Sequence, residues 1–216
     1  MLKRALEILS LLTLVGSLST TASQARNRSA QDSNPSTSIV EAGPTLAPFQ
    51  HVRFCLRYPS DCKSDSTESE RIELTPERLD LLDRTNHSVN AAILPISKDY
   101  GADLANGWTI APPMGDCNDY AVTKRHELLL HGLPSKALRL SVVRTVSGIG
   151  HLVLVVATTK GDMVLDNLTE AIRPWQSTDY HWLKIQSADD ARFWSEVKAP
   201  GISISASNQR VRLADR

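Results

Sequence analysis

Apolar positions along this chain keep two rhythms, helical up to about residue 131 and strand-like beyond it. Thr75, Pro76 and Glu77 supply a capping hydroxyl, a proline suited to the first helical position and an acid facing the positive helix end. Leu79, Leu82, Val89 and Ile93 then recur near helical spacing until Pro95, which predicts a first helix. A second is expected from Cys117 to His131, where Gly132 and Pro134 supply the stop. Beyond Pro134 come short runs rich in Val and Leu, at 137–143, 152–158 and 163–168, separated by Gly148, Gly150 and Gly161. These runs, with 180–185, read as strands. A last short helix is expected over 188–197, carrying Phe193 and Trp194. Helices followed by an antiparallel sheet predict an α+β domain.

The ends of the chain differ from its middle. Lys3 and Arg4 precede an apolar run at 8–18, and small residues from Ala22 to Ala25 offer a cleavage point. Residues 1–25 therefore read as an export signal, and the run is too short to span a bilayer. Residues 26–48, rich in Ser, Asn, Pro, Thr and Gly, read as a flexible linker. The domain is expected over 49–198, followed by a polar tail over 199–216. No membrane span is expected once the signal is removed, and the mature protein is expected in the periplasm or outside the cell. The whole chain balances 24 basic against 24 acidic residues. Loss of the signal removes two bases and one acid, leaving one net negative charge. Such a chain lacks the basic footprint of a nucleic-acid partner.

Three cysteines in an exported chain suggest one disulfide and one remaining thiol. Cys55 and Cys62 are close, with Pro59 between them to bend the chain, so they are expected to pair and leave Cys117 free. Cys117 opens the second helix, where free backbone N–H groups and the helix dipole favour a negative sulfur. An imidazole can take the thiol proton and later return it to a leaving group, and a carboxylate can fix that ring. His151, heading one strand, and Asp166, ending another, suit these two roles. The two-residue strand period puts them on one face of a hairpin. A tight turn at Lys160 and Gly161 would leave them four residues out of step, so the triad predicts a longer loop or a bulge there. Each residue also has a plainer reading: a small buried cysteine, a core histidine, an Asp166-Asn167 turn.

The motifs go further than a trio. Gly115-Asp116-Cys117-Asn118-Asp119-Tyr120 with Lys124-Arg125, then Gly132-Leu133-Pro134, Gly148-Ile149-Gly150-His151 and Val164-Leu165-Asp166-Asn167-Leu168, resemble the bacterial transglutaminase-like cysteine proteinases, which include the LapG adhesin proteases. The similarity runs from Phe54 to Trp194 and takes in Val89-Asn90, Trp108 and Ile185-Gln186-Ser187. It implies a papain-like fold with N-terminal helices on an antiparallel sheet. It assigns Cys117 as nucleophile, His151 as base and acid, and Asp166 as the orienting carboxylate. It implies a protein substrate in the cell envelope, of adhesin type, and an inner-membrane cyclic-di-GMP receptor as regulator. It also implies calcium near Asp116 and Asp119. The family usually has glutamate where Asn118 stands, and loss of that oxygen ligand weakens a hard-cation site.

The segment from Trp108 to Gly115 is about one residue shorter than the family pattern. Trp108 reads as a cleft wall or a core aromatic, Asp116 as a helix cap or an ion ligand, and His126 and His131 as solvated. Two other functions remain open: the same acyl-enzyme passed to an amine, as in a transglutaminase or amidase, and a non-catalytic papain-like binding module.

Overall fold

The computed structural model describes residues 37–100 and 107–198. The expected export signal, the first part of the linker and the polar tail lie outside the described residues. No helix among the described residues is long and apolar enough to cross a membrane.

Among the described residues, three α-helices and a large sheet make an α+β fold. The helices are α1 (Phe49–Arg57), α2 (Pro76–Ala92) and α3 (Cys117–Leu130). The strands run β1 (Glu41–Thr45), β2 (Leu94–Pro95), β3 (Met114–Gly115), β4 (Leu138–Arg144), β5 (Gly150–Thr158), β6 (Gly161–Leu165), β7 (Arg173–Pro174), β8 (His181–Gln186) and β9 (Trp194–Val197). Seven of them form one sheet in the order β1-β9-β8-β4-β5-β6-β7, with every pairing antiparallel. The short β2 and β3 pair in parallel beside α3.

The helix starts follow their sequence signals. Thr75 Oγ1 accepts the Arg78 N–H at 3.3 Å, and α2 buries Leu82 and Val89 while leaving Leu79 exposed. α3 ends at Leu130 with His131 as its C-cap, followed by Gly132 at φ 77, a conformation that suits glycine. This helix is buried on most sides, and its interior places Ala121, Val122 and Leu128 against the sheet.

β5 lies inside the sheet between β4 and β6 and is buried from His151 to Thr158. Leu152, Leu154 and Val156 join Leu138, Leu140 and Leu165 beneath the helices. Val153 and Val155 face the other way, with Val143, Val164, Trp175 and Trp182. Burying each such side chain contributes about 1.5–3 kcal/mol, so the two-sided burial of β5 makes it the anchor of the domain. Cys55 and Cys62 are joined as a disulfide, with Cα atoms 5.5 Å apart, between α1 and the short turn after it.

Two expectations fail at the ends of the domain. Residues 41–45, expected as linker, form the edge strand β1 on β9, and Ile39 is buried just before it. Gly43 and Pro44 give this stretch little strand propensity of its own. It is a strand because β9 offers a partner and because an edge tolerates proline and a bulge, here between Glu41 and Gly43. The expected helix over 188–197 is a turn followed by β9. Trp194 and Val197 are buried, and the sheet edge left by β8 outweighs a weak local helical pattern.

Gly161 closes the β5–β6 turn at φ 110, and a Cβ there would lie 2.6 Å from the Thr37 carbonyl oxygen. Gly161→Ala is expected to destabilise the domain by about 1–3 kcal/mol, read as a lower urea midpoint with an unchanged m-value.

Candidate active site

The local sequence builds the start of α3 with care. Asp116 Oδ1 accepts the Asn118 N–H at 3.0 Å, and Asp119 Oδ2 accepts the Asp116 N–H at 2.9 Å, a reciprocal capping box. Asp119 folds back over Gly115, where a Cβ would sit 2.6 Å from its Oδ2. Cys117 follows as the first helical residue, half-buried and free.

His151 and Asp166 meet from the β5–β6 hairpin. Their bond is short and buried: Nε2 to Oδ1 at 2.8 Å. The hairpin carries neither the longer loop nor the bulge expected between them. Thr158 pairs with Gly161 across a two-residue turn at Thr159 and Lys160. That register puts Asp166 across from Val153, two residues out of step with His151, and side chains on such a diagonal, about 7–8 Å apart at the backbone, still touch when they are long enough.

Asp166 is held on every side. Its Oδ1 also accepts the Leu168 N–H at 3.1 Å, Oδ2 accepts the Tyr180 hydroxyl, and its carbonyl accepts Asn90 Nδ2 at 3.0 Å. The Tyr180 ring lies 5.7 Å from the His151 ring. Cys117 lines the same cleft as His151, and its interaction with the ring is one of the causes that raise the imidazole. With Nε2 taken by Asp166, that leaves Nδ1 for the sulfur. Burial opposes charge on the imidazole, but Asp166 and Cys117 together outweigh it and lift the ring from 6.5 to about 9. Burial also raises the Asp166 carboxyl, yet its bonds to His151, Tyr180 and Leu168 bring it below the ordinary carboxylate value.

Cys117 and His151 open on a cleft of about 790 Å³ whose lining includes Phe49, Lys98, Trp108 and Ile149. Trp108 is both cleft wall and core aromatic, being buried and packed near Phe54 and His51. The geometry can support acid–base-assisted attack by sulfur on a carbonyl held in this cleft.

Residues 41–201 match the family described as the bacterial transglutaminase-like cysteine proteinases. This chain belongs to that family. It is a cysteine peptidase of the transglutaminase-like type. No curated protein sequence matches the chain. Among solved structures it is similar to calcium-bound Legionella pneumophila LapG, at 23% identity and a TM-score of 0.48, over 62% of this chain and 76% of that one. A second LapG structure from the same organism gives 21% identity and a TM-score of 0.47, over 57% and 71%. EGTA-treated LapG gives 22% and 0.43, over 62% and 76%.

The resemblance placed calcium near Asp116 and Asp119, and the donor set argues against that fit. Asp119 Oδ1 accepts the Thr109 N–H at 2.8 Å, while its Oδ2 holds the Lys98 ammonium at 2.6 Å besides the Asp116 N–H. Asp116 Oδ2 accepts the Tyr100 hydroxyl at 2.6 Å. Asn118 turns its Nδ2, not its oxygen, toward Asp116 Oδ1 at 3.2 Å. Burial pushes the Asp119 carboxyl up against the pull of Lys98 and two backbone N–H groups. As placed, these residues do not fit a divalent cation. Among the described residues, His51, Cys55 and Cys62 also bring ligand-type atoms within 4.8 Å of one another, but the two sulfurs are spent on the disulfide.

Several residues that frame this candidate site escape a reading by sequence. Tyr180 looks like the start of a strand and Lys98 like loop polarity. Asn90 stands only as an unassigned part of the family resemblance. Lys124 and Arg125 lie buried behind the site: Arg125 Nε donates to the Leu138 carbonyl at 2.9 Å. Burial pulls Lys124 down to about 7, partly offset by Asp166 and Glu170. His126, expected in solvent, is partly buried, with Nδ1 2.9 Å from Asp61 Oδ1.

His151 titrates near 6.5 in an unfolded chain and near 9 here. Its contribution to stability is complete below pH 6.5 and is lost as pH rises through about 9, on the order of a few kcal/mol. Urea unfolding across that window should show the decline, and His151→Gln should flatten it.

Proposed function

We propose that this protein is an exported endopeptidase in which Cys117 is the nucleophile, His151 the proton carrier and Asp166 its orienting partner. One observation carries the reading: a single buried imidazole is hydrogen-bonded to a carboxylate and lines one cleft together with the free thiol. A cationic ring beside a thiol favours the thiolate, and the dipole at the start of α3 adds to that preference.

In the first half-reaction the Cys117 sulfur attacks the scissile carbonyl carbon, and the developing oxyanion takes the Cys117 backbone N–H. His151 gives its proton to the departing amine, so the C–N bond breaks and a thioester forms. In the second half, neutral His151 removes a proton from water as the oxygen attacks the thioester. The carboxylic product leaves, and the proton returns to the pair. Asp166 keeps the ring from rotating and balances its charge throughout, and Tyr180 and Asn90 keep Asp166 in place. The apolar wall of Phe49, Trp108 and Ile149 suits an extended peptide segment.

The substrate we infer is an envelope or surface protein of adhesin type, reached in the periplasm or beyond, with an inner-membrane receptor as regulator. The basic and then apolar start of the chain and the family membership support this reading.

Cys117→Ala is expected to abolish activity with an unchanged fold by circular dichroism. Iodoacetamide should label Cys117 of the native protein readily at pH 6, and His151→Ala should slow that labelling at least about tenfold. Equal, ordinary thiol reactivity in both would leave a binding scaffold. Comparing envelope proteins from cells carrying native protein or Cys117→Ala would reveal the substrate as a fragment present only in the first.

A further inference from the structure

On the reading of Cys117 as nucleophile, we propose that Lys98 is a built-in cation: its ammonium holds the nucleophile helix and the two neighbouring cleft segments together, and the peptidase needs no calcium to do so. Lys98 reaches into the wall of the cleft with a side chain only 10% exposed, against an Asp119 that is fully buried. Its Nζ lies 2.6 Å from Asp119 Oδ2 and donates to the Gly107 carbonyl at 3.1 Å. The same Asp119 accepts from Thr109, beside Trp108, and from Asp116, beside Cys117. One ammonium and one carboxylate therefore tie together the segment after β2, the loop at 107–109 and the first turn of α3.

Neutralising buried carboxylate and crosslinking loops is the work a hard cation performs through oxygen ligands. Here the surroundings are built for donors. Tyr100 offers a hydroxyl hydrogen to Asp116, and Asn118 offers amide hydrogens to Asp116 and to the Tyr100 oxygen at 3.1 Å. A glutamate in place of Asn118 could donate neither. Asn118 and Lys98 are thus two halves of one arrangement of donors around Asp116 and Asp119. Gly115 completes it, since any side chain there would displace Asp119.

Lys98 is a positioning residue, acting on Cys117 through Asp119 and Asp116, and the test separates its charge from its bulk. Iodoacetamide labelling of native Cys117 at pH 7 is expected to run at the same rate, within about twofold, in EGTA and in millimolar calcium chloride. Calcium is expected to leave the thermal midpoint unmoved, because a ligand that does not bind the folded state cannot raise it. Lys98→Met should slow labelling about tenfold, while Lys98→Arg, which keeps the charge, should retain most of the native rate. A native protein that loses labelling in EGTA and regains it with calcium, or whose midpoint rises with calcium, overturns the proposal. So does a Lys98→Met protein that labels as fast as the native one. Should Lys98→Met not fold, the two calcium measurements on the native chain decide alone. A Cys117 whose labelling ignores His151→Ala sinks the catalytic reading instead, and the thermal midpoint still reports on the cation.

Discussion

The register of one hairpin governs the site. β5 and β6 turn on Thr159 and Lys160, and that two-residue turn sets His151 and Asp166 on a diagonal their side chains can close. A shift of one residue would send Asp166 to the opposite face of the sheet. The register is pinned from both sides, by Leu154 against Leu165 beneath the helices and by Val155 against Val164 on the far face. The hydrophobic core and the candidate chemistry are thus specified by the same pairing, and neither can move without the other.

α3 brings the third partner. Its capping box, its glycine-backed Asp119 and the Lys98 ammonium fix where the helix begins, and so where the sulfur stands relative to the imidazole. The rest of the helix is buried on most sides, which keeps its start from drifting along its axis.

Much of this was legible in the residues. Thr75-Pro76-Glu77 marks α2 because capping and proline placement are local effects, and Gly132-Leu133-Pro134 marks the end of α3 for the same reason. The candidate trio Cys117, His151 and Asp166 could be picked out because family motifs surround each member, and the structure joins His151 to Asp166; the Cys55 to Cys62 pairing was visible because the two are neighbours in sequence. What escaped was set by distant partners. β1 is a strand only in the presence of β9, and 188–197 turns away from helix because β8 needs a neighbour. Tyr180 and Lys98 became meaningful once the fold carried them to Asp166 and Asp119, 14 and 21 positions away. The hairpin error came from assuming that a carboxylate must sit directly opposite its histidine.

The edge strand β1 ties the start of the domain to its end. Glu41 to Thr45 caps β9, and without them β9 would present a bare row of N–H and carbonyl groups beside the buried Trp194. A truncation therefore meets a boundary in the sheet itself: losing Glu41 to Thr45 would uncover β9 and turn it into a template for self-association.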